Sequence, residues 1–217
     1  MQIVWHGHSC FQITFPRNKD EKANLVIDPF SEEIGIKMPS IEADILIITH
    51  DHYDHNNISA IKGNPFLISG PGEYEIKDVF IQGIKADHDK SQGREKGKIT
   101  IFRIEGEGIN ICHLGDLGQK ELTSEQLDKI GDVDILMIPV GGIYTISAQE
   151  SSKIISQIEP KIVIPMHYQI PKLKLKLDSL DKFLKVMGKK SVEPLNKLSI
   201  KKRDLIQEEM KIIVLKS

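Results

Sequence analysis

The stretch ADILIITHDHYDHNN, residues Ala43 to Asn57, begins as a continuous apolar run and ends in a cluster of ligand-type side chains. A run such as ILII suits a short strand buried on both faces. Directly after it, His50, His52 and His55 are interleaved with Asp51, Tyr53 and Asp54. In extended backbone, residues two apart point to the same side, so the imidazoles of His50 and His52 can share one ion. Asp54 and His55 follow as the chain turns and can face a neighbouring position. One loop can therefore feed two adjacent metals.

A pair of ions needs more donors than one loop supplies, and further candidates also follow apolar strands. His88 lies in IKADHDK, His113 and Asp116 in ICHLGDLG, and His167 in VIPMHYQ. We assign His50, His52 and His88 to one ion, Asp54, His55 and His167 to the other, and Asp116 to the bridge between them. Neutral imidazole and carboxylate suit zinc first, with manganese or iron also compatible. The absence of cysteine from the set argues against a structural zinc finger.

The rest of the chain agrees with a globular α/β protein. Its 217 residues are 40% apolar but only 6% aromatic, so the core is aliphatic, and a single domain over residues 1–217 is expected. A formal charge of −2 gives no general attraction to nucleic acid or anionic membrane. No apolar run is long enough to span a bilayer. The opening MQIVWHGHSCFQITF lacks the basic and long apolar regions of a signal peptide. Two cysteines, Cys10 and Cys112, make no disulfide framework and read as small buried hydrophobes. A cytoplasmic location is the expectation.

Strand patterns QIVWH, CFQITF, NLVID, DILIIT and PFLIS fill the first half, with a short helical candidate at Ile58 to Lys62. The second half begins again with KITIFRI and GINICHL, then places helices at Thr123 to Ile130, in AQESSKIISQI and in LDSLDKFLKVMG, around strands DILMIPV and KIVIP. Closing strands are expected near LSI and IIVL. The similarity of DILIIT to DILMIP is a weak sign of duplicated units. Two mixed sheets packed together, with helices outside, satisfy this order.

Taken in order, HGHSCF, LVIDPF, THDHYDH, His88, HLGDLG, PVGGIYTI and PMHY resemble the motifs of metallo-β-lactamase-fold hydrolases, nearest their compact lactonase-like branch, over residues Met1 to Tyr168. The resemblance implies an αββα sandwich of four layers, with a dinuclear site at one edge of its two sheets. It implies the ligand assignment given above and makes Asp28 a carboxylate that supports the ligands from behind. His113 competes with His88 as third ligand of the first ion. Leu117 stands where many relatives carry Ser or Thr, which implies a missing hydrogen bond beside Asp116. The lack of a cysteine at the second metal disfavours antibiotic hydrolysis. His52, where the flavin-coupled diiron branch uses glutamate, disfavours that redox chemistry.

Two ions about 3.5–4 Å apart can hold a hydroxide between them by lowering the pKa of water towards 7. Asp54 would orient this nucleophile and shuttle its proton. His8 and His113 are candidate pocket donors, and Tyr168 a candidate substrate contact. The expected activity is hydrolysis of an ester, lactone or phosphodiester bond in a small molecule, phosphorylated substrates included. Arg94, Lys96 and Lys98 form either a solvated turn or an anion-holding rim. Between Pro171 and Arg203, eleven Lys or Arg residues meet three acids. Within that tail KLKLKL alternates like a protected edge strand, leucines in and lysines out. Two other functions compete: a nucleic-acid phosphodiesterase, for which no clamp-like insertion is visible, and a non-catalytic metal-binding interaction domain, which leaves the complete ligand set unexplained. A small-molecule substrate is the expected partner, with nucleic acid less favoured, no membrane, and oligomeric state open.

Overall fold

A computed structural model gives the architecture and describes residues 1–17, 21–206 and 209–217. In chain order the strands are β1 (Gln2–Gly7), β2 (Cys10–Pro16), β3 (Lys22–Ile27), β4 (Ile41–Glu42), β5 (Ile45–Ile47), β6 (Ile61–Lys62), β7 (Phe66–Ile68), β8 (Gly72–Ile76), β9 (Val79–Asp87), β10 (Lys98–Gly106) and β11 (Ile109–His113). Helix α1 (Ser124–Ile130), β12 (Ile135–Pro139), α2 (Ala148–Ile158), β13 (Ile162–Met166), α3 (Leu180–Val186), β14 (Leu198–Ser199) and β15 (Lys211–Ile212) complete it.

Two mixed sheets result. One runs β14-β1-β2-β3-β5-β7 and the other β15-β13-β12-β11-β10-β9-β8, while β4 and β6 form a separate short pair. In each half an antiparallel meander comes first and parallel strands follow. The two halves also share a local device. Asp44, just before β5, accepts from the Asn24 amide at 2.8 Å and returns its own amide to the Asn24 carbonyl. Asp134, just before β12, does the same with Asn110 at 2.9 Å. The related DILIIT and DILMIP segments thus become the parallel strands next to each meander, clasped in the same way.

Aliphatic side chains from both sheets fill the space between them. Ile13, Phe15, Ile27 and Ile47 meet Ile81, Ile101, Ile104 and Ile111 in one cluster. The helices lie outside the second sheet: the β11–α1–β12 and β12–α2–β13 connections join parallel neighbours, and right-handed crossovers put both helices on one face. Thr123 and Ser147 start α1 and α2 with reciprocal capping boxes. Ser151, Ile154, Ile155 and Ile158 form the buried side of α2. Outside the first sheet the layer is thinner. Cys10, Val26 and Leu46 are covered by Phe30, Ile34, Met38, Leu173 and Leu177 from short 3-10 turns and irregular segments. Both cysteines are buried, and burial pushes the Cys112 thiol up to about 12.

Two local expectations change. Ile58 to Lys62 is a single 3-10 turn, Ile58–Ala60, followed by β6; five residues before Gly63 and Pro65 cannot repay the cost of nucleating an α-helix. KLKLKL keeps its alternation, with Leu173 and Leu177 buried and the lysines exposed, but it is no edge strand. It crosses the outer face of the first sheet, held by Lys174 N to Ile34 O at 2.8 Å, and Lys172 at φ 69° breaks the extended run. Among the described residues, no helix is long and apolar enough to cross a membrane.

Ile13, fully buried between the sheets, tests this packing. Ile13→Ala should cost about 2–5 kcal/mol, read as a lower urea midpoint at unchanged m-value. Ile206→Ala, at a residue 81% exposed, should shift stability by no more than about 0.5 kcal/mol.

Candidate metal centre

The site is assembled where strands of both sheets end. β3 stops at Ile27, and Asp28 follows in the left-handed region at φ 48°, its amide bonded to Ile47 O at 2.9 Å. Its buried carboxylate accepts from Thr49 N at 2.8 Å, Thr49 Oγ1 at 2.7 Å and His55 Nδ1 at 3.0 Å. Because Thr49 Oγ1 spends its proton on Asp28, it can accept from His50 Nδ1, 3.0 Å away. His50 then presents an unprotonated Nε2 to the front, and His55 directs its Nε2 the same way. His50 Nε2 is buried and has no hydrogen-bond partner, which leaves its lone pair free for an ion.

Three sets of donor atoms lie within 4.8 Å of one another: His50, His52 and His88; His8, Asp54, His55 and His167; and His50, His55 and Asp116. Asp116 stands between the larger groups, with Oδ1 3.3 Å from His55 Nε2 and Oδ2 3.1 Å from His167 Nε2 and 3.7 Å from His88 Nε2. Cross-sheet backbone bonds fix these ends together: Thr100 N to Thr49 O at 2.9 Å and His167 N to His8 O at 3.0 Å. Two glycines allow the close approach. A Cβ on Gly118 would fall 2.2 Å from the His88 carbonyl carbon, and one on Gly141 2.0 Å from the His167 oxygen. The last glycine of HLGDLG and the first of PVGG are therefore spaces for the backbone of His88 and His167.

Burial lowers His50 to about 3, and burial together with His167 lowers His8 to about 4, so both are neutral near pH 7. Burial would lower His55 too, but Asp116 and Asp28 outweigh it and raise this imidazole well above its ordinary value. Burial pushes Asp116 up, yet His167 and His55 hold it well below the usual carboxylate range. His52, Asp54, His88, Asp116 and His167 form the floor of a cavity of about 490 Å³ whose walls include Tyr53, Lys96, Tyr144 and Leu175. A larger cavity, about 710 Å³, borders only His50 among these donors.

Comparison with known proteins agrees with this fold. Residues 2–167 match the family described as beta-lactamase superfamily domain. The chain belongs to the metallo-β-lactamase superfamily. It is 32% identical to a UPF0173 metal-dependent hydrolase of Thermoplasma volcanium, over 77% of this chain and 83% of the relative. With a counterpart of the same name from Thermoplasma acidophilum it shares 28% identity over the same proportions. A Thermotoga maritima crystal structure of the metallo-beta-lactamase superfamily superposes with a TM-score of 0.79 at 34% identity, covering all of both chains.

Within this superfamily fold, eleven sequence-named residues separate into two groups. His8, His50, His52, Asp54, His55, His88, Asp116 and His167 converge, with Asp28 directly behind them. His113 does not join them. Its Nε2 donates to Ser9 O at 3.1 Å and its Nδ1 accepts from Gly115 N at 3.1 Å, so neither nitrogen is free to bind an ion or carry a catalytic proton. It is a buried structural residue, edge-on to Phe11, and no rival to His88. Tyr168 also turns away from the cavity: it is buried against Trp5, ring centroids 5.1 Å apart, and burial pushes its phenol up beyond the usual range. Leu117 does leave Asp116 without a neighbouring hydroxyl, but Ser9 Oγ supplies one from the β1–β2 turn at 3.4 Å.

Of the proposed basic rim, Lys96 alone reaches the cavity. Arg94 is exposed and Lys98 is paired with Asp87 at 2.5 Å. Asp89, which the sequence does not mark out, holds the intervening loop by accepting the amides of Ser91, Gly93, Glu95 and Lys96 at 2.7–3.0 Å. These bonds, led by that of Lys96, lower Asp89 to about 2 against the opposing effect of burial. A depressed carboxylate stabilises the fold above its ordinary value of 3.8 and loses that contribution as pH falls towards 2. Asp89→Asn should therefore speed amide exchange of residues 91–97 at pH 7, whereas the wild-type loop should loosen only between about pH 3.8 and 2.

Proposed function

We propose that the protein is a dinuclear metal-dependent hydrolase acting on an ester or lactone bond of a small molecule that carries an anionic group. The observation supporting this reading is the meeting of eight donor side chains, five of which line one ligand-sized cavity. His50, His52 and His88 would hold one ion, Asp54, His55 and His167 the other, with Asp116 shared. Zinc suits this nitrogen and oxygen set best, and manganese or iron can also use it. When bound, a pair of such ions supplies water acidified towards neutrality and a Lewis acid for a carbonyl or phosphoryl oxygen.

The chain's own groups do the remaining work. Asp28 and Thr49 orient His55 and His50, the role of outer partners that fix ligand tautomers. Asp54 keeps one oxygen near the cavity. Burial would raise it, but its hydrogen bond to His8 and the nearby His55 hold it well below the carboxylate range. So low an affinity for protons makes it a group that orients water and only a weak proton acceptor. Lys96 donates to Tyr144 O at 2.6 Å, and among the described residues no carboxylate lies within ion-pair distance of it. Its remaining N–H groups can bind a carboxylate or phosphate next to the scissile bond. Tyr53, Tyr144 and Leu175 give an apolar wall for the rest of the molecule.

A nucleic-acid phosphodiester is the second reading, favoured by exposed Lys172, Lys174 and Lys176 flanking the wall residue Leu175. Steeply salt-dependent binding would identify it.

Metal analysis of wild type and of the His50→Ala/His52→Ala protein is the direct test. Wild type should contain two divalent ions; the variant should contain at most one and lose hydrolysis. Full metal content in the variant overturns the assignment. With a matched pair of neutral and anionic lactones, Lys96→Ala should raise KM about tenfold for the anionic member, the effect of losing one hydrogen bond between charged groups, and leave the neutral one unchanged.

A further inference from the structure

We infer that His8 is itself a ligand of the second ion, so that the two metal positions differ: one is enclosed by His8, Asp54, His55 and His167, and the other is left open by His50, His52 and His88. This inference rests on the metal-binding reading above and adds a residue to it.

The donor spacing is the first argument. An ion bound tetrahedrally at about 2.0–2.1 Å needs neighbouring donors about 3.3 Å apart. His8 Nε2 is 3.1 Å from Asp54 Oδ2 and 3.2 Å from His55 Nε2, and the third edge, His55 Nε2 to Asp54 Oδ2, is 3.7 Å. These three edges bracket the required length. Hydrogen bonding accounts for them less well. A single His8 Nε2 faces both a carboxylate oxygen and an imidazole nitrogen, and one N–H or one lone pair serves only one of them well.

The second argument is how firmly the residue is placed. His8 sits in the turn between β1 and β2 at φ 53°, a conformation uncommon outside glycine and concentrated at functional positions. Its carbonyl accepts from His167 N at 3.0 Å and from Trp5 Nε1 at 3.1 Å. That brings its ring centroid to 4.3 Å from that of His167. The ring is fully buried, and its Nδ1 has no hydrogen-bond partner, as is also true of His88 and His167, the two other candidates delivered from distant strands. His8 thus shares the condition of the ligands themselves.

The consequence is an asymmetric pair. With Asp116 shared, five protein donors would surround the second ion and four the first, and the fuller set favours retention of its ion while the sparser one leaves more room for water. The tightly held ion belongs on the His8 side, and the exchangeable position on the His50 side.

The test uses the full chain stripped by chelator, then titrated with zinc against a competing chelator and with cobalt followed by visible absorption. Wild type should take up two ions, one held more tightly. In both His8→Ala and His8→Gln the tight ion should weaken by more than about 100-fold, beyond the 10–100-fold typical of losing a hydrogen-bond partner of a ligand, and its cobalt bands should shift. His8→Gln can still donate to Asp54, so wild-type affinity in that variant overturns the ligand assignment. Matching circular dichroism of the ion-free proteins establishes that the variants fold, and His8→Gln carries the decision if His8→Ala does not. Wild type that takes up no ion overturns the metal reading as a whole; wild type with two ions and an unaffected His8→Gln overturns only the role of His8.

Discussion

One buried carboxylate organises the centre. Asp28 accepts three hydrogen bonds, two from Thr49 and one from His55, in a place with no solvent contact. A buried anion is tolerable only when it is paired and hydrogen-bonded in this way. Burial would raise its pKa, but His55 outweighs that and keeps it ionised. The same contacts determine what the loop after β5 can do. Thr49 is turned so that it can receive His50, and His55 is held by its Nδ1, so two ring nitrogens project forward from a single anchor behind them.

The sandwich supplies the remaining donors by the way its sheets end together. His88 follows β9, Asp116 follows β11 and His167 follows β13, all in the second sheet, while the His50 loop and His8 belong to the first. Bringing them into range depends on backbone contact between the sheets, made by Thr100 with Thr49 and by His167 with His8. Close contact demands small residues beside the ligands. Gly118 and Gly141 meet that demand, since any side chain there would collide with the backbone of His88 or His167. The motifs that surround the ligands are thus packing requirements as much as chemistry.

Much of this was legible in the chain. The dense cluster from His50 to His55 carries its own local geometry, and the distant candidate donors follow recognisable buried strands. The same rule misled at two positions. His113 also ends an apolar strand, but as the last residue of β11 it is still paired opposite Phe102 and is consumed by backbone groups, whereas Asp116, three residues on, has left the sheet. Tyr168 adjoins a ligand in sequence, yet the left-handed turn at His167 sends it towards Trp5. Nothing in spacing distinguishes Tyr53, Tyr144 and Leu175 as cavity walls, because that property depends on three separate segments meeting. Asp89 was equally silent: its role lies in the turn it closes. Alternation in KLKLKL correctly separated buried from exposed residues but could not say whether the extended run would pair with a sheet.

Charge balance connects the centre to the kind of molecule it suits. Asp28, Asp54 and Asp116 are all held ionised within one small region. Burial would lower His55, but Asp116 and Asp28 raise it well above its ordinary value, so it answers part of this charge. On the reading proposed above, two divalent ions and a hydroxide between them would balance three carboxylates, and Lys96 would add a positive charge to a neutral centre. That charge would go unanswered unless the usual occupant brought negative charge of its own. The Lys96 loop is nevertheless pinned by four backbone bonds to Asp89, and its ammonium is clasped by Tyr144 O. On the reading proposed above, a cation held in this way would be half of a contact whose other half is an anionic substrate.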